Sequence, residues 1–181
     1  MKRSIITMAI SLITLVFIFS CKPVILNPNL TGNIQYKSIW VGWLDLGEQN
    51  YMDLNYGSRE EWINEIKRQN INLQSHIRRY MTGFTVKGAN AKTDDPPRDS
   101  GTIVITFKST VFDTQTTGML ISTGADFIDA ASRKVLMSLE QKQLGSSLFL
   151  NTFPNYSLQS RLNNAMSHMS YDIRYYLTQT W

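Results

Sequence analysis

A single cysteine, Cys21, stands in a chain of 181 residues, and a lone thiol has few uses. It is a nucleophile where a cationic neighbour lowers its pKa, a metal ligand where other donors converge, or a handle for covalent modification. It cannot form a disulfide within the chain. Two histidines, His76 and His168, are the other residues of strong chemical potential. Neither sits in an HExxH or comparable spacing, so no zinc site is expected. No Walker loop, GxGxxG or GxSxG occurs. Asp94, Asp95 and Asp99 offer oxygen ligands, but Pro96 and Pro97 divide them and no calcium-loop spacing results. Asp126 and Asp129 are close enough in sequence to suggest a carboxylate pair. Strand alternation places them on opposite faces, and Asp129 suits the start of a turn. No catalytic residue, cofactor or metal is assigned on these grounds, and no enzymatic activity is expected.

The surroundings of Cys21 decide its use. Lys2 and Arg3 precede an apolar run from Ile5 to Phe19, the layout of an export signal. The run is shorter than the roughly 20 residues a membrane-spanning helix needs, and Pro23 follows at once. The stretch Ile18-Phe19-Ser20-Cys21 resembles the lipobox of bacterial lipoproteins, with Ile18 where that family prefers Leu and Ser20 as its small residue. The resemblance implies cleavage before Cys21 and acylation of its thiol, leaving a membrane anchor rather than a nucleophile. Lys22, in place of Asp, implies by the same resemblance an outer-membrane destination, on its periplasmic or its surface side. Removing residues 1–20 takes Lys2 and Arg3 away and lowers the formal charge of +4 by two, which is no footprint for nucleic acid.

The residues that could meet a partner lie on the helices. Arg78 and Arg79, with Lys67 and Arg68, fall largely off the apolar stripe of a helix beginning after Gly57. Tyr171 and Tyr175 lie one turn apart, off the stripe of the final helix. Aromatic residues and arginine are enriched at interface hot spots, so Tyr171, Tyr175, Arg78 and Arg79 are the candidate partner-binding residues. A solvated helix face, or contact with anionic lipid or glycan, is the other reading of the basic cluster. Trp40 and Trp43 flank Gly42, either in the core or lining a ligand site.

Positioning these residues requires the following elements. Residues 21–35 carry Pro23, Pro28 and Gly32 and read as an anchor and tether, with an edge strand at Val24–Leu26 as the alternative. Residues 36–181 then form one domain. Its first strand holds Ile39, Val41 and Trp43, and Gly42 invites a close neighbour. Ser58 and Glu61 form a capping box for a helix with Trp62, Ile66, Leu73 and Ile77 on its stripe and Asn70 as a polar intruder. Residues 83–101 read as a long, mobile loop after a brief apolar stretch. Residues 101–113, 119–129 and 134–141 alternate as the strands of a meander, with a turn at Thr116–Gly118 and a hairpin loop at Asp129–Arg133. Val135, Met137 and Leu139 share one side of the last strand. Ser157 or Asn155 then caps a final helix with Leu162, Met169 and Ile173 on its apolar stripe.

The expected fold is α+β: a mostly antiparallel sheet, made of an N-terminal strand plus the three-stranded meander, with two amphipathic helices packed on one face. The hairpin FIDAASRKVLMSLEQ and the helix LNNAMSHMSYDIRYYL resemble elements of several families of small bacterial envelope lipoproteins. Ser132 stands where such hairpins often have Gly, and the 94–99 loop has no counterpart there. The resemblance implies a non-enzymatic domain at the outer membrane that binds another envelope protein. A surface lipoprotein that binds an external or host ligand is the alternative.

Overall fold

The structure is a computed structural model that describes residues 26–32, 34–113, 120–145 and 157–178. The signal segment, Cys21, the Thr116–Gly118 turn, Asn155 and Trp181 lie outside these residues. Two four-residue helical turns, α1 (Pro28–Thr31) and α2 (Asn50–Asp53), accompany two long helices, α3 (Arg59–Tyr80) and α4 (Leu158–Thr178). The strands are β1 (Ser38–Val41), β2 (Thr85–Gly88), β3 (Thr102–Phe107), β4 (Val111–Asp113), β5 (Leu120–Asp129) and β6 (Val135–Leu144).

The α+β class holds, but the sheet is mixed rather than mostly antiparallel, and it has more strands than expected. β1 lies between β2 and β3 and is parallel to both, with Ile39 beside Val86 and Ile103. β5 runs antiparallel to β3, β4 and β6. The difference comes from β2, hidden at the start of the 83–101 stretch. Parallel neighbours need a long crossover, and α3 is the crossover from β1 to β2. Residues 89–101 then carry the chain to the far side of β1, so this stretch is a second crossover. The expected first meander strand is broken at Lys108–Thr110 into β3 and β4. Both lie along β5, bridged by the Lys108 N–H to Gly124 C=O bond.

α3 starts where the capping box predicts. Glu61 N–H donates to Ser58 Oγ at 3.2 Å, and Ser58 N–H donates to Glu61 Oε2 at 2.8 Å. α4 is capped by Ser157, whose Oγ accepts from Ser160 N–H. The helices bury Trp62, Ile66, Leu73 and Ile77 and Leu162, Met166, Met169 and Ile173 in one cluster with Ile39, Val41, Ile103, Ile105 and Phe127 of the sheet. Each such side chain contributes about 1.5–3 kcal/mol by leaving water. The opposite face is covered too: Val104 is fully buried, and Asp95, Pro97 and Asp99 of the second crossover stand over Trp40 and Thr102.

Several polar groups settle local geometry. Asp129 accepts from Ser132 N–H at 2.7 Å and Ser132 Oγ at 2.6 Å, closing the β5–β6 hairpin, and from Tyr36 Oη at 2.9 Å. Burial and Asp129 push the Tyr36 hydroxyl up to about 12. In β6 the expected side-sharing holds for Met137 and Leu139, which pair with Phe127 and Ala125, but not for Val135. A register shift between the partners of Phe127 and Ile128 leaves Val135 49% exposed while Leu139 is buried. At the sheet's outer edge, Gln74 Nε2 donates to Ala89 C=O and Arg78 to Val86 C=O, so α3 covers carbonyls of the β2 segment.

Residues 26–32 lie within the stretch read as a tether, yet Leu26, Asn27 and Thr31 among them are buried. Asn27 N–H donates to Leu177 C=O at 2.7 Å at the end of α4.

Candidate functional site

Where β1 ends, the chain turns towards the helices, whereas the neighbouring β2 is followed by a segment that passes over the other face. Adjacent parallel strands whose connections leave on opposite faces open a crevice beyond their carboxyl ends, the usual ligand position in such sheets. Three depressions of about 370, 480 and 600 Å³ meet there, and Asp45 lines all three.

Gly42 sets the approach. Its N–H donates to Ile105 C=O at 2.7 Å, and a Cβ at this position would stand 2.6 Å from that carbonyl oxygen. The expected close neighbour of Gly42 is therefore the β3 backbone. Beyond it, Leu44 has no strand beside it, and Asn70 of α3 takes that role. Asn70 Oδ1 accepts from Leu44 N–H at 2.8 Å, and its Nδ2 donates to Leu44 and Ile66 C=O, both at 3.0 Å. The polar intruder on the helix stripe thus fixes the backbone between Trp43 and Asp45, two residues that line the crevice.

Asp45 accepts from Gly47 N–H at 2.9 Å and from Lys92 Nζ at 2.6 Å. Burial pushes its carboxyl up, but the Lys92 and Gly47 hydrogen bonds and the ammonium charge outweigh this and hold it below the usual range. Trp43 is half-buried and lines the two depressions that flank Lys92, and Lys67 of α3 lines one of them. Trp40 lies on the outer face of the sheet and lines its neighbour. The result is an open surface of indole, carboxylate and ammonium. Its carboxylate is ion-paired rather than poised to move a proton.

The remaining sequence candidates lie elsewhere. Asp126 pairs with Lys108 at 3.4 Å and accepts from Ser138 Oγ, whereas Asp129 is buried in the hairpin, so the two do not meet. Asp94 accepts from the N–H groups of Asn90 and Ala91, and Asp99 from Thr102 Oγ1. Burial first, then the charge of Arg79, lowers the His76 pKa. Among the described residues, no group of three or more His, Cys, Asp or Glu has metal-binding geometry. The four partner-binding candidates are brought to one end of the helical layer. α3 and α4 run side by side in the same direction: Asn163 accepts from Gln69 and Asn72, and the rings of Tyr80 and Tyr171 meet edge-on at 6.2 Å. Tyr171 and Tyr175 are 53% and 42% exposed, and Arg78 and Arg79, also exposed, directly precede Tyr80, the residue whose ring meets Tyr171. Sequence reasoning missed Asp45 and Lys92, whose 47-residue separation carries no local signal.

No family model matches the chain, and no curated protein matches it. Two solved structures are similar. A PelC dodecamer from Paraburkholderia phytofirmans is 9% identical, over 80% of this chain and 92% of that one, with a TM-score of 0.43. A protein from Helicobacter pylori, named for homology to a neuraminyllactose-binding hemagglutinin, is 8% identical over 86% of each chain, with a TM-score of 0.31. Among the described residues no helix is long and apolar enough to cross a membrane.

Proposed function

We propose that the chain is a bacterial envelope lipoprotein, anchored through Cys21, whose domain binds another envelope protein in an assembly or cell-wall process and catalyses no reaction. The observation that carries this reading is the apolar export segment ending at the sole cysteine. The crevice supports binding: Trp43 offers apolar area, and the Asp45–Lys92 pair offers a donor and an acceptor beside it. Aromatic side chains of this kind serve as interface anchors. The partner is recognised there, and the lipid holds the domain at the outer membrane.

Photo-crosslinking in living cells tests the binding role. A crosslinker at Gln49, exposed at the crevice rim, is expected to give one discrete adduct, lost in Trp43→Ala, with an envelope protein that needs this chain for its assembly. No adduct, or one indifferent to Trp43, counts against the proposal. Protease treatment of intact and permeabilised cells separates this reading from the alternative. Digestion only after permeabilisation fits an envelope-assembly role, and digestion of intact cells fits a surface protein that binds an external ligand.

A further inference from the structure

We propose that the basic, tyrosine-rich end of the α3–α4 pair rests on the anionic headgroup surface of the membrane, so that the crevice at Asp45 points away from it. The inference rests on the anchoring of Cys21 proposed above, and it assigns Arg79, Arg174, Tyr171 and Tyr175 to lipid rather than to a protein partner, Arg78 being held by the Val86 carbonyl.

The first argument is where the chain leaves the fold. Buried Leu26 and the Asn27 bond to Leu177 C=O fix this segment at the C-terminal end of α4. Even fully extended, the chain from Cys21 to Leu26 spans at most about 18 Å. The end of α4 therefore stays close to whatever Cys21 is attached to.

The second is the chemistry of that end. The carboxylates of α3, Glu60, Glu61 and Glu65, are confined to its first two turns, whereas Arg78 and Arg79 close its last. Arg174, Tyr171 and Tyr175 are exposed on the closing turns of α4. Asp172, the one acid of α4, is half-buried and accepts from Gly145 N–H at 2.9 Å. Among the described residues, none of the three arginines meets a carboxylate at ion-pair distance. A basic side chain held near an anionic bilayer gains about 1 kcal/mol, and tyrosine is enriched at the membrane–water interface.

The third is distance. Ile63 and Lys67 of α3 line the crevice, and at 1.5 Å per residue Tyr80 lies roughly 20–25 Å further along the helix. Anchor and crevice thus occupy opposite ends of the helix pair.

The test uses the full-length acylated protein in vesicles of phosphatidylcholine and phosphatidylglycerol containing a nitroxide-headgroup lipid. With Cys21 blocked by its lipid, a fluorophore is placed at Thr82→Cys, just past α3, or at Gln49→Cys. The nitroxide is expected to quench the Thr82 label several-fold more than the Gln49 label. The Arg79→Glu, Arg174→Glu double variant, still held by its lipid, should lose most of that difference, as should vesicles of phosphatidylcholine alone. Stronger quenching at Gln49 overturns the orientation. Weak, uniform quenching leaves that end to a protein partner and also overturns it. A difference that survives both charge changes overturns the electrostatic contact. Mass spectrometry of the N-terminal peptide, together with flotation, reads the anchor separately. An unmodified chain that does not float overturns both proposals, whereas an acylated chain with reversed quenching overturns only this one.

Discussion

The carboxamide of Asn70 does for Leu44 what a neighbouring strand would do, satisfying both its N–H and its C=O at the end of β1. A buried backbone group left without a partner costs about 1–3 kcal/mol. Asn70→Ala strands both groups and is expected to lower stability by about 2–4 kcal/mol, read as a shift in urea midpoint. Asn70→Asp keeps the acceptor for Leu44 N–H, loses both donated bonds and also destabilises. Glu65 is the second buried polar side chain of consequence. It accepts from Tyr56 Oη, Arg68 and Gln69 Nε2 at 2.9, 2.5 and 2.6 Å. Burial raises its pKa, but these hydrogen bonds and the Arg68 charge more than offset that and leave it lowered. The ionised form is therefore favoured by folding, and its contribution is present at neutral pH and lost as pH falls through the carboxylate range. Glu65→Gln should cost about 1–2 kcal/mol at pH 7, because solvent around Arg68 screens the pair. The difference from wild type should shrink in acid-unfolding curves at low pH. Asn70 was visible in the sequence as an anomaly on an apolar stripe. Its partner was not, because a contact spanning 26 residues leaves no periodic trace.

At the scale of elements, short-range signals were legible and pairing was not. The α3 boundary could be read because a capping box is local chemistry. Ser58→Ala should cost about 0.5–2 kcal/mol, with an unchanged denaturant slope if only stability is altered. β2 escaped because its four residues bury only Val86, too few to establish alternation. The break between β3 and β4 escaped because the apolar period continues through Val111. Gly42 was legible as a point of close approach, though not what would approach it. In Gly42→Ala the new Cβ meets the Ile105 carbonyl oxygen at 2.6 Å, and a backbone atom cannot rotate aside. The parallel β1–β3 ladder must open, at about 1–3 kcal/mol, and amide exchange in both strands should quicken.

For the molecule as a whole, composition and pattern led to the α+β class and to the stretches that form the core. The sheet's direction could not be reached that way. A helix between two strands reads equally well as a separate layer or as a crossover, and only the position of β2 decides between them. The polar cluster at the crevice was out of reach for a related reason: the second crossover carries Lys92 to Asp45. The proposed anchor belongs to this scale. Cys21→Ala should abolish incorporation of labelled palmitate and shift the protein from the membrane fraction to an uncut precursor or a released form. Unchanged membrane retention without label would count against lipidation.

The coverage of β2 by α3 has a further consequence, for crowding. A parallel edge strand with open carbonyls is a template on which a second chain can add as a new strand. Here the helix that delivers the chain to that edge also occupies the Val86 carbonyl of the strand through Arg78, and Gln74 takes the Ala89 carbonyl just past its end. The strand at the opposite edge, β6, is exposed and polar from Glu140 to Gln143, and Lys142 is left-handed at φ 73°. Copies of the chain brought together therefore meet blunted edges, which disfavours the addition of one sheet to another.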